Sequence, residues 1–124
     1  MEERACFLFA VLTAVCAAIG SDRVGLRLSP LNSYNDMNDS NPLALTAFLV
    51  ARLNSFKLAY LHLLRADFFQ TQTGDVMTPT RARLHYQGVL IGNMGYSGAE
   101  AESAISTGKL DAVAFGGAFL ANPD

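Results

Sequence analysis

The chain has 124 residues, 51% of them hydrophobic and 16% charged, and its nine basic and eleven acidic residues leave a formal charge of -2. This length corresponds to one domain, and so high an apolar share excludes a disordered chain. The weakly acidic balance offers no electrostatic attraction to nucleic acid or to an anionic membrane, so neither partner is expected.

The first predicted element is an apolar helix. Only Thr13 is polar within residues 5–19, and Gly20 is suited to end a helix. Because such a helix has no polar face, we expect it to be covered on more than one side. Cys6 and Cys16 would lie about 15 Å apart along its axis, which excludes a disulfide between them.

The same segment also shares features with a secretory signal, whose leading region is positively charged. Here Glu2 and Glu3 outweigh Arg4. The apolar run is also shorter than the roughly 20 residues of a bilayer span. The buried helix is therefore the favoured interpretation, and a cytoplasmic location is expected.

Four short apolar runs follow, separated by segments with helix start signals, and this alternation predicts βα units. Pro42 begins a helical segment over residues 43–56, with Asn41 or Ser40 before it as a cap. Thr78 and Pro79 repeat that arrangement before a helix over 81–86. Ser97 and Glu100 form a capping box for a third helix, and Gly108 ends it. The predicted strands cover residues 24–28, 58–64, 88–91 and 112–115.

The element order predicts a single α/β domain over residues 1–124: a helix, then strand and helix three times, then a last strand. Right-handed connections make the strands parallel and place their crossover helices on one side. Four such strands are half of an eight-stranded TIM barrel. The alternative is an open, flavodoxin-like sheet, in which the apolar first helix crosses over to cover the exposed face.

Arg27 is unusual because it lies in the middle of an apolar strand, where a guanidinium needs an anion. A structural ion pair with Asp36, Asp39 or Asp67 is the more common explanation for such a residue. The alternative is that Arg27 faces the strand ends, where a barrel keeps its site, and meets a cofactor phosphate or an electron-rich ring.

Glycine-containing turns follow the third and fourth predicted strands. Backbone amides in such turns can hold a phosphate, and the loops after the last two strands of a barrel are frequent phosphate sites. Glycine at a strand-to-helix turn can equally serve only to relieve backbone strain. The residues concerned are Gly92, Asn93, Met94, Gly95, Gly116 and Gly117.

The two histidines do not indicate a metal site. His62 lies inside a predicted strand and His85 near the end of a predicted helix, and neither has a second histidine or a cysteine at ligand spacing. The residue pattern assigns no catalytic group.

Six segments carry a recognisable pattern in chain order: DRVGLRLSP at 22–30, YNDM at 34–37, DSNP at 39–42, LAYLHL at 58–63, GVLIGN at 88–93 and DAVAFG at 111–116, followed by Phe119, Ala121, Asn122, Pro123 and Asp124. Together they resemble the old yellow enzyme family of flavin-dependent ene-reductases. The resemblance runs in register from about Arg4 to the last residue.

This resemblance implies a barrel that binds FMN and passes a hydride from NAD(P)H through the flavin to an activated alkene. The chain would be its carboxyl-terminal half. Arg27 would lie beside the pyrimidine ring of the flavin and stabilise the reduced, anionic form. The residues that match the family's phosphate-holding turns are Gly92, Asn93, Met94, Gly116 and Gly117.

Three departures from the family pattern bear on function. The chain has no counterpart of the family's first four strands, which carry its substrate-orienting histidine pair and its proton-donating tyrosine. Gly117 stands where the family has an arginine on the flavin phosphate, and losing such a bond, about 1.5 to 3 kcal/mol, weakens binding about ten- to a hundredfold. Cys6, Ala10 and Thr13 replace charged residues of the first helix.

A four-stranded half-barrel leaves two strand edges and an apolar inner face without partners. Two copies related by a two-fold axis can join edge to edge and close eight strands, so a homodimer or higher oligomer is expected. Two function classes remain open. The chain is either a flavin-binding half-barrel with residual redox chemistry, or a catalytically inert, self-assembling half-barrel with no cofactor.

Overall fold

The computed structural model describes residues 1–32, 39–65 and 79–123. Its first element, α1, spans Glu2–Ile19. The helix ends at Gly20, which has a φ of 89° and donates a backbone hydrogen bond to the Cys16 carbonyl at 2.9 Å. The predicted helix and its end at Gly20 are confirmed. Cys6 and Cys16 are both free thiols.

Helix α1 is much less covered than its sequence predicts. Only Ala5 and Leu12 are buried, and Phe9 stacks on Phe56 with ring centroids 5.8 Å apart. The expected burial on more than one side is wrong for this chain alone, since Phe7 is 81% exposed. No helix in the described ranges has the length and apolar character to cross a membrane. Exposed apolar residues at every fourth position form the α1 stripe: Phe7, Val11, Val15 and Ile19.

One sheet of four parallel strands follows, in the order β1-β2-β3-β4. Each strand therefore pairs with the next one along the chain. The register aligns Arg27 with His62, His62 with Ile91, and Ile91 with Ala112, so these four residues share one face of the sheet. The strands are β1 (Gly25–Leu28), β2 (Tyr60–Leu64), β3 (Leu90–Asn93) and β4 (Ala112–Ala114).

The helices between the strands begin largely where the caps predict. Asn41 accepts a hydrogen bond from the Ala44 N–H at 3.1 Å, and Ser97 and Glu100 form the predicted capping box. Thr78, the other predicted cap, lies outside the described residues. The helices between the strands are α2 (Pro42–Leu53), α3 (Pro79–Ala82) and α4 (Gly98–Ser106), and a short helix, α5 (Gly117–Ala121), follows β4.

Three helix predictions differ from the structure. Helix α2 ends at Leu53 and not at Phe56, because the chain tightens into a 3-10 turn over Asn54–Phe56. Helix α3 stops at Ala82 and does not continue to Tyr86, because Leu84 and His85 donate to carbonyls three residues back and tighten the chain into turns. This turn brings Tyr86, only 2% exposed, into the core. Helix α5 was not predicted, since its Gly116 cap contributes no side-chain hydrogen bond.

The core lies on one face of the sheet, between the strands and the helices. Leu61, Leu63 and Leu90 are fully buried there, in one cluster with Leu12 of α1 and Leu53 of α2. Helix α1 therefore packs on the same side as α2. The open, flavodoxin-like alternative is wrong, because it requires α1 to cover the opposite face and the sheet to be enclosed on both sides.

Candidate functional site

The face of the sheet opposite the helices, called here the inner face, carries Arg27, the third of the four residues of β1. Arg27 is exposed, and none of the ion pairs formed among the described residues includes it. Asp39, one of its predicted structural partners, instead binds Arg4 Nη1 at 2.5 Å. Asp36 and Asp67 lie outside the described residues. Arg27 is thus a cation available to a ligand on the inner face.

His62 lies next to Arg27 on the inner face. Burial, and to a smaller degree the charge of Arg27, lower the pKa of His62 below its usual 6.5. The imidazole is therefore neutral at physiological pH. Its Nε2 is enclosed and has no hydrogen-bond partner among the residues that the structure describes. A buried polar atom without a partner is unfavourable, so this nitrogen would gain from a further binding group.

The turn after β3 has an unusual backbone conformation. Asn93 Nδ2 donates to the Ala114 carbonyl at 2.7 Å and so joins the carboxyl ends of β3 and β4. Met94 and Gly95 have φ angles of 91° and 66°. Because a methionine rarely adopts positive φ, contacts from outside the turn must stabilise it.

Arg65, directly after β2, makes those contacts. Its Nε donates to the Met94 carbonyl at 2.7 Å, and its Nη2 donates to the Gly95 carbonyl. The guanidinium lies 3.8 Å from the centroid of the Tyr96 ring and 3.3 Å from Glu100 Oε1. Sequence reasoning missed Arg65, because these partners lie 29 to 35 residues further along the chain. The available signal was an arginine at the carboxyl end of an apolar strand.

The acid and the phenol beside Arg65 keep fixed protonation states. Glu100 Oε2 accepts a hydrogen bond from the Ser97 N–H at 2.8 Å. That bond, together with the bonds from Arg65 and the Ser97 side chain, lowers the pKa of Glu100 to about 2. Burial raises the pKa of Tyr96 above its usual 10, although Arg65 opposes this shift. Glu100 is therefore ionised and Tyr96 neutral at physiological pH.

The glycines of the predicted site differ in what surrounds them. A Cβ on Gly92 would lie 2.6 Å from Leu110 Cδ1, on the helix side of the sheet, so packing requires glycine there. A Cβ on Gly116 or Gly117 would meet no described heavy atom within 4 Å, and neither residue has a positive φ. The turn after β4 therefore has room for a ligand or for a larger side chain.

The predicted site residues thus lie near the carboxyl ends of the strands, with one correction to the prediction. Gly92 and Asn93 are the last two residues of β3 and not part of the turn after it, because pairing with β2 keeps them in the sheet. Arg27 is near the carboxyl end of β1, and the two turns follow the carboxyl ends of β3 and β4. One strand separates β1 from β3, which places Arg27 about 10 Å from β3. An arginine side chain and two turns with backbone N–H groups, all near the carboxyl ends of the strands, are suited to bind an elongated anion.

Comparison with known proteins gives consistent matches over the whole chain. Residues 1–124 match the model of the NADH:flavin oxidoreductase / NADH oxidase family. A probable flavin mononucleotide-dependent alkene reductase of Leishmania infantum is 48% identical over 124 residues, which cover all of this chain and 33% of that protein. A putative 12-oxophytodienoate reductase 11 of Oryza sativa subsp. japonica is 38% identical over 128 residues and is covered to 34%.

Solved structures agree with these relatives. The old yellow enzyme from Trypanosoma cruzi superposes with a TM-score of 0.88 at 50% identity, over 98% of this chain and 32% of that one. Morphinone reductase gives a TM-score of 0.83 at 35% identity, over 99% of this chain and 33% of that one. The chain spans about a third of the length of these proteins. It belongs to the old yellow enzyme, or NADH:flavin oxidoreductase, family, and its four parallel strands match about a third of the family's TIM barrel.

Proposed function

We propose that this chain is the FMN-contacting, carboxyl-terminal half of an old yellow enzyme barrel. The observation that carries this proposal is the exposed Arg27, which forms no ion pair with any described residue, on the open face of the sheet. FMN, when bound, would accept a hydride from NAD(P)H and pass it to an activated alkene, a quinone or oxygen. The relative from Leishmania infantum carries a name of this kind.

The described residues are compatible with such a cofactor. Arg27 would lie beside the pyrimidine ring, where its permanent charge stabilises the negative charge that reduction brings. The end of β3 with the turn after it, and the turn after β4, would hold the phosphate through backbone N–H groups. A Cβ at Gly116 or Gly117 would meet no described heavy atom within 4 Å, which leaves that side of the turn after β4 open. The residues assigned to the cofactor are Arg27, Gly92, Asn93, Met94, Gly116 and Gly117.

The direct test is the visible absorption spectrum of the purified chain, followed by FMN titration of two variants. Gly117→Arg should tighten FMN binding by about ten- to a hundredfold, because it adds a charge-assisted hydrogen bond to the phosphate. A Cβ at Gly117 would meet no described heavy atom within 4 Å, so the substitution introduces no clash at that atom. Gly117→Gln fills the same space without a charge and should leave the Kd close to that of the parent. Equal dissociation constants for all three chains would contradict the phosphate assignment.

A second candidate function is a catalytically inert assembly module without a cofactor. The observation in its favour is Gly117, which offers no charged group to a phosphate. The two candidates differ in a simple property. Yellow protein that retains FMN through gel filtration supports flavin binding, whereas protein that stays colourless after FMN is added supports the inert module.

We also propose that the partner of this chain is a second copy of itself. Strands β1 and β4 are the outer strands of the sheet, and each has one edge without a partner among the described residues. In a closed barrel, the helix before a strand covers that strand and its neighbour in the ring. Helix α1 of one copy would therefore lie over β4 of the other and bury the α1 stripe. This assembly would pair the edges of β1 and β4 and would also cover the α1 stripe.

A further inference from the structure

The contacts of Arg65 connect three parts of the chain. Its side chain is 12% exposed, so the guanidinium is held largely away from solvent after β2. From there it binds the carbonyls of Met94 and Gly95 and pairs with Glu100 at the start of α4. One residue thus fixes the turn after β3 relative to both β2 and α4.

The direction of the turn's carbonyls determines the direction of its amides. A trans peptide unit is planar, and its C=O and N–H point in opposite directions. No peptide bond among the described residues is cis. Because Arg65 attracts the carbonyls of Met94 and Gly95, the N–H groups of Gly95 and Tyr96 point away from Arg65. The two amides therefore face the opposite side of the turn together.

Two features show that this orientation depends on Arg65. Met94 has a φ of 91°, which a methionine does not maintain without outside contacts. The guanidinium is itself held in place, because Glu100 binds it and the Tyr96 ring stacks beneath it at 3.8 Å. A planar fork with several donors suits this arrangement, and a lysine ammonium cannot reproduce it.

We propose that Arg65 is a positioning residue that orients the backbone amides of the turn after β3 towards an anionic phosphate group. This inference rests on the proposed FMN site and deepens it. Arg65 does not touch the phosphate in this arrangement. It acts through the peptide units at Met94 and Gly95, so its removal should affect phosphate-bearing ligands selectively.

The test compares the affinities of the full chain for FMN and for riboflavin, which lacks the phosphate. Arg65→Met should weaken FMN binding about tenfold and change riboflavin binding little. Arg65→Lys should behave like Arg65→Met, although it keeps the charge beside Glu100. It is also the variant to use if Arg65→Met does not fold. Equal losses for both flavins, or full rescue by lysine, would overturn the proposal.

The matched control is Arg83, which has the same kind of contacts near the start of β3. It donates to the carbonyls of Tyr86 and Gly88 at 3.2 and 2.9 Å and pairs with Asp111. Arg83→Met should leave the ratio of the two affinities unchanged, even if it lowers stability. A change in that ratio equal to the one for Arg65 would overturn the positioning role.

If the parent chain binds neither flavin, the proposed function fails, and the positioning role is tested separately with inorganic phosphate. Amide NMR resonances of Gly95 and Tyr96 should move on phosphate addition in the parent and not in Arg65→Lys. Resonances that do not respond in the parent, or that respond equally in both chains, would overturn the assignment of Arg65.

Discussion

The strand register places Arg27 beside His62 and thereby affects the pKa of His62. The two residues are aligned on neighbouring strands, and the fixed charge of Arg27 adds to burial in lowering the pKa of His62. Because the unfolded chain then binds a proton at a higher pH than the folded chain does, the contribution of His62 to stability is fully present above pH 6.5. It falls as the pH drops from 6.5 through the folded-state pKa.

Replacement of Arg27 by methionine tests both its electrostatic and its proposed binding role. Arg27→Met should raise the pKa of His62 towards 6.5, because one of its two causes is removed and burial remains. NMR titration of the His62 imidazole measures this shift. The same variant should lose FMN retention in gel filtration. Arg23→Met, at another exposed arginine, should change neither property, and FMN retained by Arg27→Met would contradict the assigned role.

Some helices and strands have boundaries that their own residues determine, whereas the boundaries of others depend on contacts with distant parts of the chain. The end of α1 and the starts of α2 and α4 are predictable, because Gly20, Asn41 and Ser97 act on neighbouring backbone groups. The sequence predicts β3 two residues too early, at 88–91, because Gly92 and Asn93 are residue types that favour turns. Pairing with Leu63 and Leu64 of β2 overrides that preference.

The residues of the candidate site also divide into those with a local sequence signal and those that only the fold brings together. Arg27 and the glycine turns are identifiable from the sequence, because a cation in an apolar run and glycines after a strand are local signals. The contact of Arg65 with Met94 and Gly95 is not, since it arises only when β2 and β3 become neighbours. Helix α5 has five residues and no side-chain cap, so it too lacked a local signal.

The capping box of α4 makes the stability of the folded chain depend on pH. The pKa of Glu100 is lowered to about 2 in the folded chain from 4.5, first by the Ser97 N–H and then by Arg65. Its contribution to stability is therefore present above pH 4.5 and is lost as the pH falls towards 2. Glu100→Gln should lower the Tm at pH 7 and flatten its decline between pH 4.5 and 2.

The control for this prediction is Glu102→Gln, which removes a neighbouring exposed carboxylate of α4 that has no part in the capping box. It should lower the Tm at pH 7 less than Glu100→Gln does. Thermal unfolding followed by circular dichroism across this pH range measures both variants. Parallel pH profiles for Glu100→Gln and the parent would contradict the stabilising role of the box.

For the whole molecule, the open inner face and the α1 stripe lead to a prediction about assembly. We expect the chain to sediment as a dimer or larger species at micromolar concentration. Val11→Glu, in the α1 stripe, should shift it towards smaller species, because a charge would be buried against the second copy. Ala17→Glu, at an exposed α1 position outside the stripe, should not. A compact monomer of the parent chain would refute self-association.

The sequential order of the strands also has a consequence for how the sheet is built during synthesis. Each strand after β1 pairs with the strand that precedes it in the sequence, so each hydrogen-bonded ladder can form as soon as its second strand has left the ribosome. No earlier pairing has to open to admit a later strand. The sheet grows in one direction, and β4, the last of these four strands, has one edge without a partner among the described residues. A further strand can attach there without rearrangement of the other three.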